Sequence, residues 1–168
     1  MDKITTLKDL FVEQAQDIYD GEIQQTKALP NILEKVTSSD LRSLIKQHID
    51  ETRRQIDRLG TIFRMLNLSP VGERCKTMSA LIDETSELIK RCSDPEVLDA
   101  GLVTSLQHIN HCEIAGYGSV IAYAKTLDMD DLAYIFNQTL EEEKKADLEL
   151  TKLAEKSINM KARSPIVS

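Results

Sequence analysis

Residues 67–96 read NLSPVGERCKTMSALIDETSELIKRCSDPE, and where this stretch stops and restarts helix decides the fold. Asn67-Leu68-Ser69-Pro70-Val71-Gly72 gathers turn formers and a proline, which end the helix before it. Met78, Leu81, Ile82, Leu88 and Ile89 recur at helical spacing, so a short amphipathic helix is expected over roughly Lys76 to Arg91. Asp94-Pro95-Glu96 then restarts a helix. The aspartate accepts from exposed amides, proline suits the first helical position, and glutamate favours the positive end of the dipole. Residues 67–94 are thus a long connection between two long helices, with a helix of its own.

Upstream, a first helix is expected from a Thr6 cap to about Val36, with apolar residues at 4, 7, 11, 15, 18, 29, 33 and 36. Pro30 should bend or interrupt it. After the capping cluster Thr37-Ser38-Ser39, a second helix carries Leu41, Leu44, Ile45, Ile56, Leu59, Ile62, Phe63 and Leu66. The short link makes the two an antiparallel hairpin. Downstream, a third long helix runs to about Thr126. Asp128 is expected to cap a fourth, about Met129 to Ser157, with Leu132, Phe136, Leu140, Leu150 and Leu153 or Ala154 inward. Residues 161–168, with Pro165, read as a frayed polar tail. Two hairpins joined by one long crossover are the connectivity of an all-α, ferritin-like four-helix bundle, whereas an up-down-up-down bundle needs three short loops. Residues 1–160 are expected to form this single domain.

Composition agrees. The chain has 168 residues, no Trp and 4% aromatics, and is rich in good helix formers. Its 21 Lys and Arg against 28 Asp and Glu give a formal net charge of -7, which speaks against a nucleic-acid partner. Cys75, Cys92 and Cys112 have no CxxC spacing, and an odd count cannot form a complete disulfide framework within one chain. With no secretory apolar region and no 18-residue apolar run, the expectation is a soluble, cytoplasmic protein with no membrane partner.

The chemistry lies where the core stripes carry ionisable groups, since an unpaired buried charge is costly. In the first helix the series 11, 15, 18, 22, 25, 29 turns Glu22 inward. In the second, 41, 45, 48, 52, 55, 59 brings in His48 and Gln55, with Glu51 on nearly the same face. The third series, 102, 106, 109, 113, 117, 120, places Glu113 inward; the fourth, 136, 140, 143, 147, 150, 154, places Glu143 and Asp147. One glutamate at the margin of a stripe is ordinarily a boundary residue with its head in water. Here Glu22, Glu51, Glu113 and Glu143 all lie close to the expected helix midpoints, near residues 21, 53, 110 and 143, so antiparallel packing stacks them in one layer. Four carboxylates in a low-dielectric layer raise one another's pKa values and call for cations. Oxygen ligands plus an imidazole suit Fe²⁺ or Mn²⁺, one or two ions per chain. The candidate metal ligands are Glu22, His48, Glu51, Glu113, Glu143 and Asp147, with Asn110 and Gln55 able to complete or orient the set. Tyr19, Tyr117 and Tyr123 read as amphipathic boundary residues, Cys112 as a small buried hydrophobe, and Glu141, Glu142, Lys144 and Lys145 as a solvated face. Glu84 reads as a hydrogen-bonding group within the crossover.

Several blocks carry a family resemblance: His48-x-x-Glu51-Thr52 with Gln55-Ile56-x-Arg58-Leu59; Cys75-x-x-Met78-x-x-Leu81-Ile82-x-Glu84; His111-Cys112-Glu113-Ile114-Ala115-Gly116-Tyr117-Gly118; and Thr139-Leu140-Glu141-Glu142-Glu143-Lys144-x-x-Asp147. From about Leu7 to Ala154 the chain resembles the YciF/YciE-like family of bacterial stress-induced proteins. The resemblance implies a ferritin-like fold related to rubrerythrin, a cytoplasmic setting, a homodimer and expression under stress. Family members commonly read Glu-His-Tyr-Glu where this chain reads Asn110-His111-Cys112-Glu113, so an amide replaces one carboxylate. Glu-x-x-His does not occur on both pair-bearing helices, as a full di-iron site would have it. Two functions follow as expectations. One is a stress-associated metal-binding bundle acting on peroxide or oxygen. The other is a non-catalytic structural or interaction protein, pairing with other stress proteins, that keeps the bundle without a working metal site.

Overall fold

A computed structural model describes residues 3–163. The described chain is helical, in the order α1 (Leu7–Lys35), α2 (Ser39–Leu66), α3 (Lys76–Arg91), α4 (Pro95–Thr126), α5 (Asp130–Leu153), a π-helical turn (Ala154–Ile158) and α6 (Asn159–Ala162). It is the ferritin-like four-helix bundle, with α3 as the fifth helix inside the long crossover.

Local chemistry sets each boundary. Thr6 and Asp9 form a reciprocal cap, the Thr6 hydroxyl accepting from the Asp9 amide at 3.1 Å and the Asp9 carboxylate from the Thr6 amide at 2.9 Å. α1 continues through Pro30 without interruption. The ring removes one hydrogen bond, and packing of the buried face compensates over a helix of 29 residues. α2 stops where Asn67 turns left-handed, at φ 56°. Asp94 accepts from the amides of Glu96 and Val97, both at 2.9 Å, and Pro95 opens α4. Asp128 does not cap the last long helix as expected. It takes a left-handed turn at φ 57°, and Met129 stands at the cap position without a side-chain bond. The helix also does not run regularly to Ser157. The π-helical turn starts at Ala154, and Leu150, Leu153, Ala154 and Ile158 are all buried around it. Pro165 and the rest of the tail beyond Arg163 lie outside the described residues.

Around the bundle α1 packs on α2 and α4, while α5 packs on α2 and α4, giving the cyclic order α1, α2, α5, α4. α3 lies along α1 and α4. Gln24 Nε2 donates to the Cys75 carbonyl at 2.9 Å, and the Cys75 amide donates to Asp20 at 2.7 Å, tying the start of α3 to α1. At the opposite end buried Asp99 of α4 holds the α1–α2 link, accepting from the Thr37 amide at 3.0 Å, the Thr37 hydroxyl at 2.7 Å and the Ser38 amide at 2.8 Å.

The core is split. One apolar half gathers Leu29, Ile32, Leu41, Ile45, Leu102 and Leu106. The other gathers Phe11, Leu59, Phe63, Val120 and Phe136, with Phe11 and Phe136 meeting edge to face at 6.0 Å. Between these halves every long helix presents polar side chains. No helix among the described residues is long and apolar enough to cross a membrane.

Candidate metal centre

The polar layer holds Glu22 and Gln25 from α1, His48, Thr52 and Gln55 from α2, Asn110 and Glu113 from α4, and Glu143 from α5, all buried. It exists because the inward stripe of each helix, apolar above and below, switches to polar residues at the same height. Glu22 is wholly buried and Glu143 is 1% exposed, so neither is a boundary residue with a solvated head.

Amides and one phenol hold the carboxylates in place. Gln25 Nε2 donates to Glu113 Oε1 at 2.5 Å. Gln55 Nε2 donates to Glu143 Oε1 at 2.7 Å, and Asn110 Nδ2 to Glu143 Oε2 at 2.6 Å. The Tyr117 hydroxyl donates to Glu22 Oε1 at 2.6 Å. His48 Nε2 lies 4.0 Å from Glu143 Oε2, and His48, Glu113 and Glu143 each offer a ligand atom within 4.8 Å of the others.

The layer has more acceptors than donors. Glu22 Oε2, Glu113 Oε2, Gln25 Oε1, Gln55 Oε1 and Asn110 Oδ1 are buried without a hydrogen-bond partner, as is His48 Nε2. Desolvation, then the charge of Glu143, pushes Glu22 up to about 8, although bonds from Tyr117 and Glu113 pull the other way. Desolvation and the charges of Glu22 and Glu143 hold Glu113 well above the usual carboxylate range. Burial and the Glu22 charge likewise push the Tyr117 phenol up. Protons or a cation must neutralise such a layer. Three carboxyls, one imidazole and amide oxygens form a donor set that fits a hard or borderline divalent ion.

Of the six ligands read from the sequence, the structure brings Glu22, His48, Glu113 and Glu143 together. Glu51 turns aside, accepting from Gln47 Nε2 at 2.9 Å, with Arg54 at 3.9 Å. Asp147 sits 22% exposed on the α4–α5 flank, where Gln107 Nε2 donates to it at 3.1 Å and His111 Nδ1 lies 3.4 Å away. Glu51 stands at the height of the layer but is rotated to its outer edge, Asp147 is one helical turn from Glu143, and their bonds to neighbouring side chains keep them there. Tyr117 is not a boundary residue, because at 1% exposure its hydroxyl belongs to the layer. Gln25 and Thr52 were also missed as members, although, like Tyr117, they stand on the inward series, where a polar residue was the available signal. Glu142 leaves the solvated face and forms a bidentate pair with Arg58 of α2, both bonds 2.6 Å, while Gln55 also donates to it at 3.1 Å. Cys112 is only half-buried, and Glu84 is exposed rather than bonded within the crossover.

Fold and site together define a ferritin-like bundle with a buried carboxylate–imidazole layer at mid-height. Residues 6–163 match the family described as a domain of unknown function (DUF892), and the chain belongs to that family. It is 34% identical to protein YciF of Escherichia coli K12 over 160 residues, 95% of this chain and 96% of YciF. The crystal structure of that E. coli stress protein matches with a TM-score of 0.88, over 93% of this chain and 99% of YciF. YcfI from Rhodopseudomonas palustris, to which a structural role is ascribed, is 40% identical with a TM-score of 0.87, over 89% of this chain and 95% of YcfI. A Xanthomonas campestris protein of 19% identity shares the fold, with a TM-score of 0.71, over 92% of this chain and 94% of that one.

Proposed function

We propose that the buried layer binds Fe²⁺ or Mn²⁺ through Glu22, His48, Glu113 and Glu143, and that the protein serves stress defence by consuming peroxide or oxygen. The observation that carries this reading is the set of six buried oxygens, Thr52 Oγ1 among them, and one imidazole nitrogen left without hydrogen-bond partners around three carboxyls. Three ionised carboxyls leave one negative charge beside one divalent ion and one positive charge beside two, so the charge count accommodates one or two ions per chain. When bound, the ion supplies electron transfer to the oxidant.

The protein's own groups set the conditions for that chemistry. Glu22 and Glu113 hold protons in the empty layer and release them as the cation arrives. Tyr117 orients Glu22; Gln55 and Asn110 fix both oxygens of Glu143. The apolar halves above and below exclude bulk water. The stress setting is carried over from the similarity to the E. coli stress protein YciF, and a cytoplasmic homodimer is proposed alongside it.

One observation favours a second reading, that of a structural or interaction protein. Three amides and a phenol already satisfy four carboxylate oxygens, as a layer maintained without metal would need. Elemental analysis separates the two. Protein reloaded anaerobically with Fe²⁺ or Mn²⁺ is compared with a Glu22→Ala/Glu143→Ala double variant. About one to two ions per chain, lost in the variant, support the metal site and lead to peroxide assays. Absence of bound metal from both proteins refutes it and leaves the structural reading.

A further inference from the structure

We propose that divalent cations reach the layer through a port between α2 and α5, with Glu51 and Glu149 at its mouth and His48 as its inner wall. This rests on the metal-binding reading above.

The bundle leaves few ways in. α3 covers the α1–α4 side. On the α2–α5 seam Arg58 clamps Glu142 bidentately and also bonds Thr139 at 3.2 Å, closing the stretch beside Gln55. One to two turns away along the same seam there is a cavity of about 20 Å³. Gln47, His48 and Glu51 line it from α2, Ala146 and Glu149 from α5, and Leu106 forms part of its wall. That volume accommodates roughly one water-sized particle, so a cation must shed most of its hydration shell to pass.

The groups along the cavity suit a dehydrating cation. Glu149 is 32% exposed and Glu51 12%, a graded pair of carboxylates from solvent inward. Gln47 holds Glu51 at 2.9 Å, toward the cavity. Their cationic neighbours are weak competitors. Arg54 stands 3.9 Å from Glu51 and Lys145 3.8 Å from Glu149, and both basic side chains are more than half exposed. At the inner end His48 is 95% buried, its Nε2 has no hydrogen-bond partner, and that atom lies 4.0 Å from Glu143. His48 is therefore common to the cavity wall and the metal cluster. Ala146 opposite α2 is small enough to leave the passage open; leucine there would fill it. The port also gives Glu51 a place, since its carboxylate lines the approach to the layer rather than the layer itself.

A port and a ligand are told apart by kinetics. A port residue changes loading and release by the same factor and leaves affinity alone, whereas a ligand changes affinity. Co²⁺ serves as the probe, its visible absorption followed by stopped flow on the full chain. The wild type, Glu51→Gln/Glu149→Gln and Ala146→Leu are compared after thermal unfolding has confirmed that each is folded. Both variants should load and release about tenfold more slowly, with the wild-type end-point spectrum and dissociation constant. Raising the salt concentration should slow the wild type and hardly affect the glutamine variant. Should Ala146→Leu fail to fold, the glutamine variant, which keeps side-chain size at both positions, decides. Loading of the folded variants at the wild-type rate overturns the port, and an altered end-point spectrum or affinity in the glutamine variant makes Glu51 or Glu149 a ligand and overturns it too. A wild type that takes up no Co²⁺, Fe²⁺ or Mn²⁺ fails the metal-binding reading instead, and the port falls with it.

Discussion

Glu22→Gln should make the metal-free protein more stable at high pH and leave it nearly unchanged at low pH. Glu22 is wholly buried, and desolvation with the Glu143 charge pushes it from the ordinary 4.5 to about 8. The unfolded chain sheds this proton above about pH 4.5, whereas the folded chain keeps it until about pH 8. A raised carboxyl pKa means that the folded state binds the extra proton, so its stability falls as pH rises through that window and levels off above it. At about 1.4 kcal/mol per unit, the shift sets a ceiling near 5 kcal/mol. Because Glu113 and Glu143 share the layer and its protons, roughly 2–4 kcal/mol is the expected gain on removing the charge. The amide keeps an oxygen for the Tyr117 hydroxyl, so little packing is lost. For a chain of 168 residues this corresponds to about 5–15 °C in Tm. Urea denaturation of the metal-free proteins at about pH 5 and about pH 9 provides the assay. An offset of the same size at both pH values, or a variant less stable than wild type at the higher one, refutes the argument. Added Fe²⁺ or Mn²⁺ should reverse the order, stabilising only the wild type.

Three further outcomes are expected. Asn110→Asp places a charge where an amide now donates to Glu143 at 2.6 Å, so the metal-free protein should lose about 2 kcal/mol or more while cation affinity, read by isothermal titration, rises. Cation binding should release protons from Glu22 and Glu113, so affinity should climb with pH through the range below about 8 in which Glu22 keeps its proton, and titrations in buffers of different ionisation enthalpy should report the protons released. Asp99→Ala removes the acceptor of three bonds at the α1–α2 link and should cost about 3 kcal/mol in denaturation while leaving the metal stoichiometry unchanged.

How much was legible in the sequence depended on the range of the interaction. Thr6, Ser38 and Asp94 cap their helices as read, because a cap is a contact between a side chain and amides a few residues away. Asp128 carried the same signal and does not cap, since the tight turn between α4 and α5 puts it in the left-handed region instead. Pro30 was expected to bend or interrupt α1, and it does not interrupt it, because the packing that offsets one lost bond comes from other helices. In the layer, Glu22, Glu113 and Glu143 are visible as charges on core stripes, whereas Tyr117 reads as a boundary residue and is in fact buried, because periodicity fixes a face and not a depth.

By itself the sequence determined the four long helices, the crossover with its own short helix, and the height at which polar residues enter the core. These follow from local propensity, capping and the 3.6-residue period. Only the tertiary structure decided which of those residues meet. His48 and Glu51 lie three residues apart on nearly one face, yet the position of α5 brings His48 to 4.0 Å from Glu143 and leaves Glu51 on the outer edge. Glu142 and Glu143 are adjacent in sequence, and the same packing gives one to Arg58 and the other to the buried layer. One residue of rotation, about 100°, separates a part-buried ion pair from a fully buried carboxylate, and interhelical packing sets that rotation.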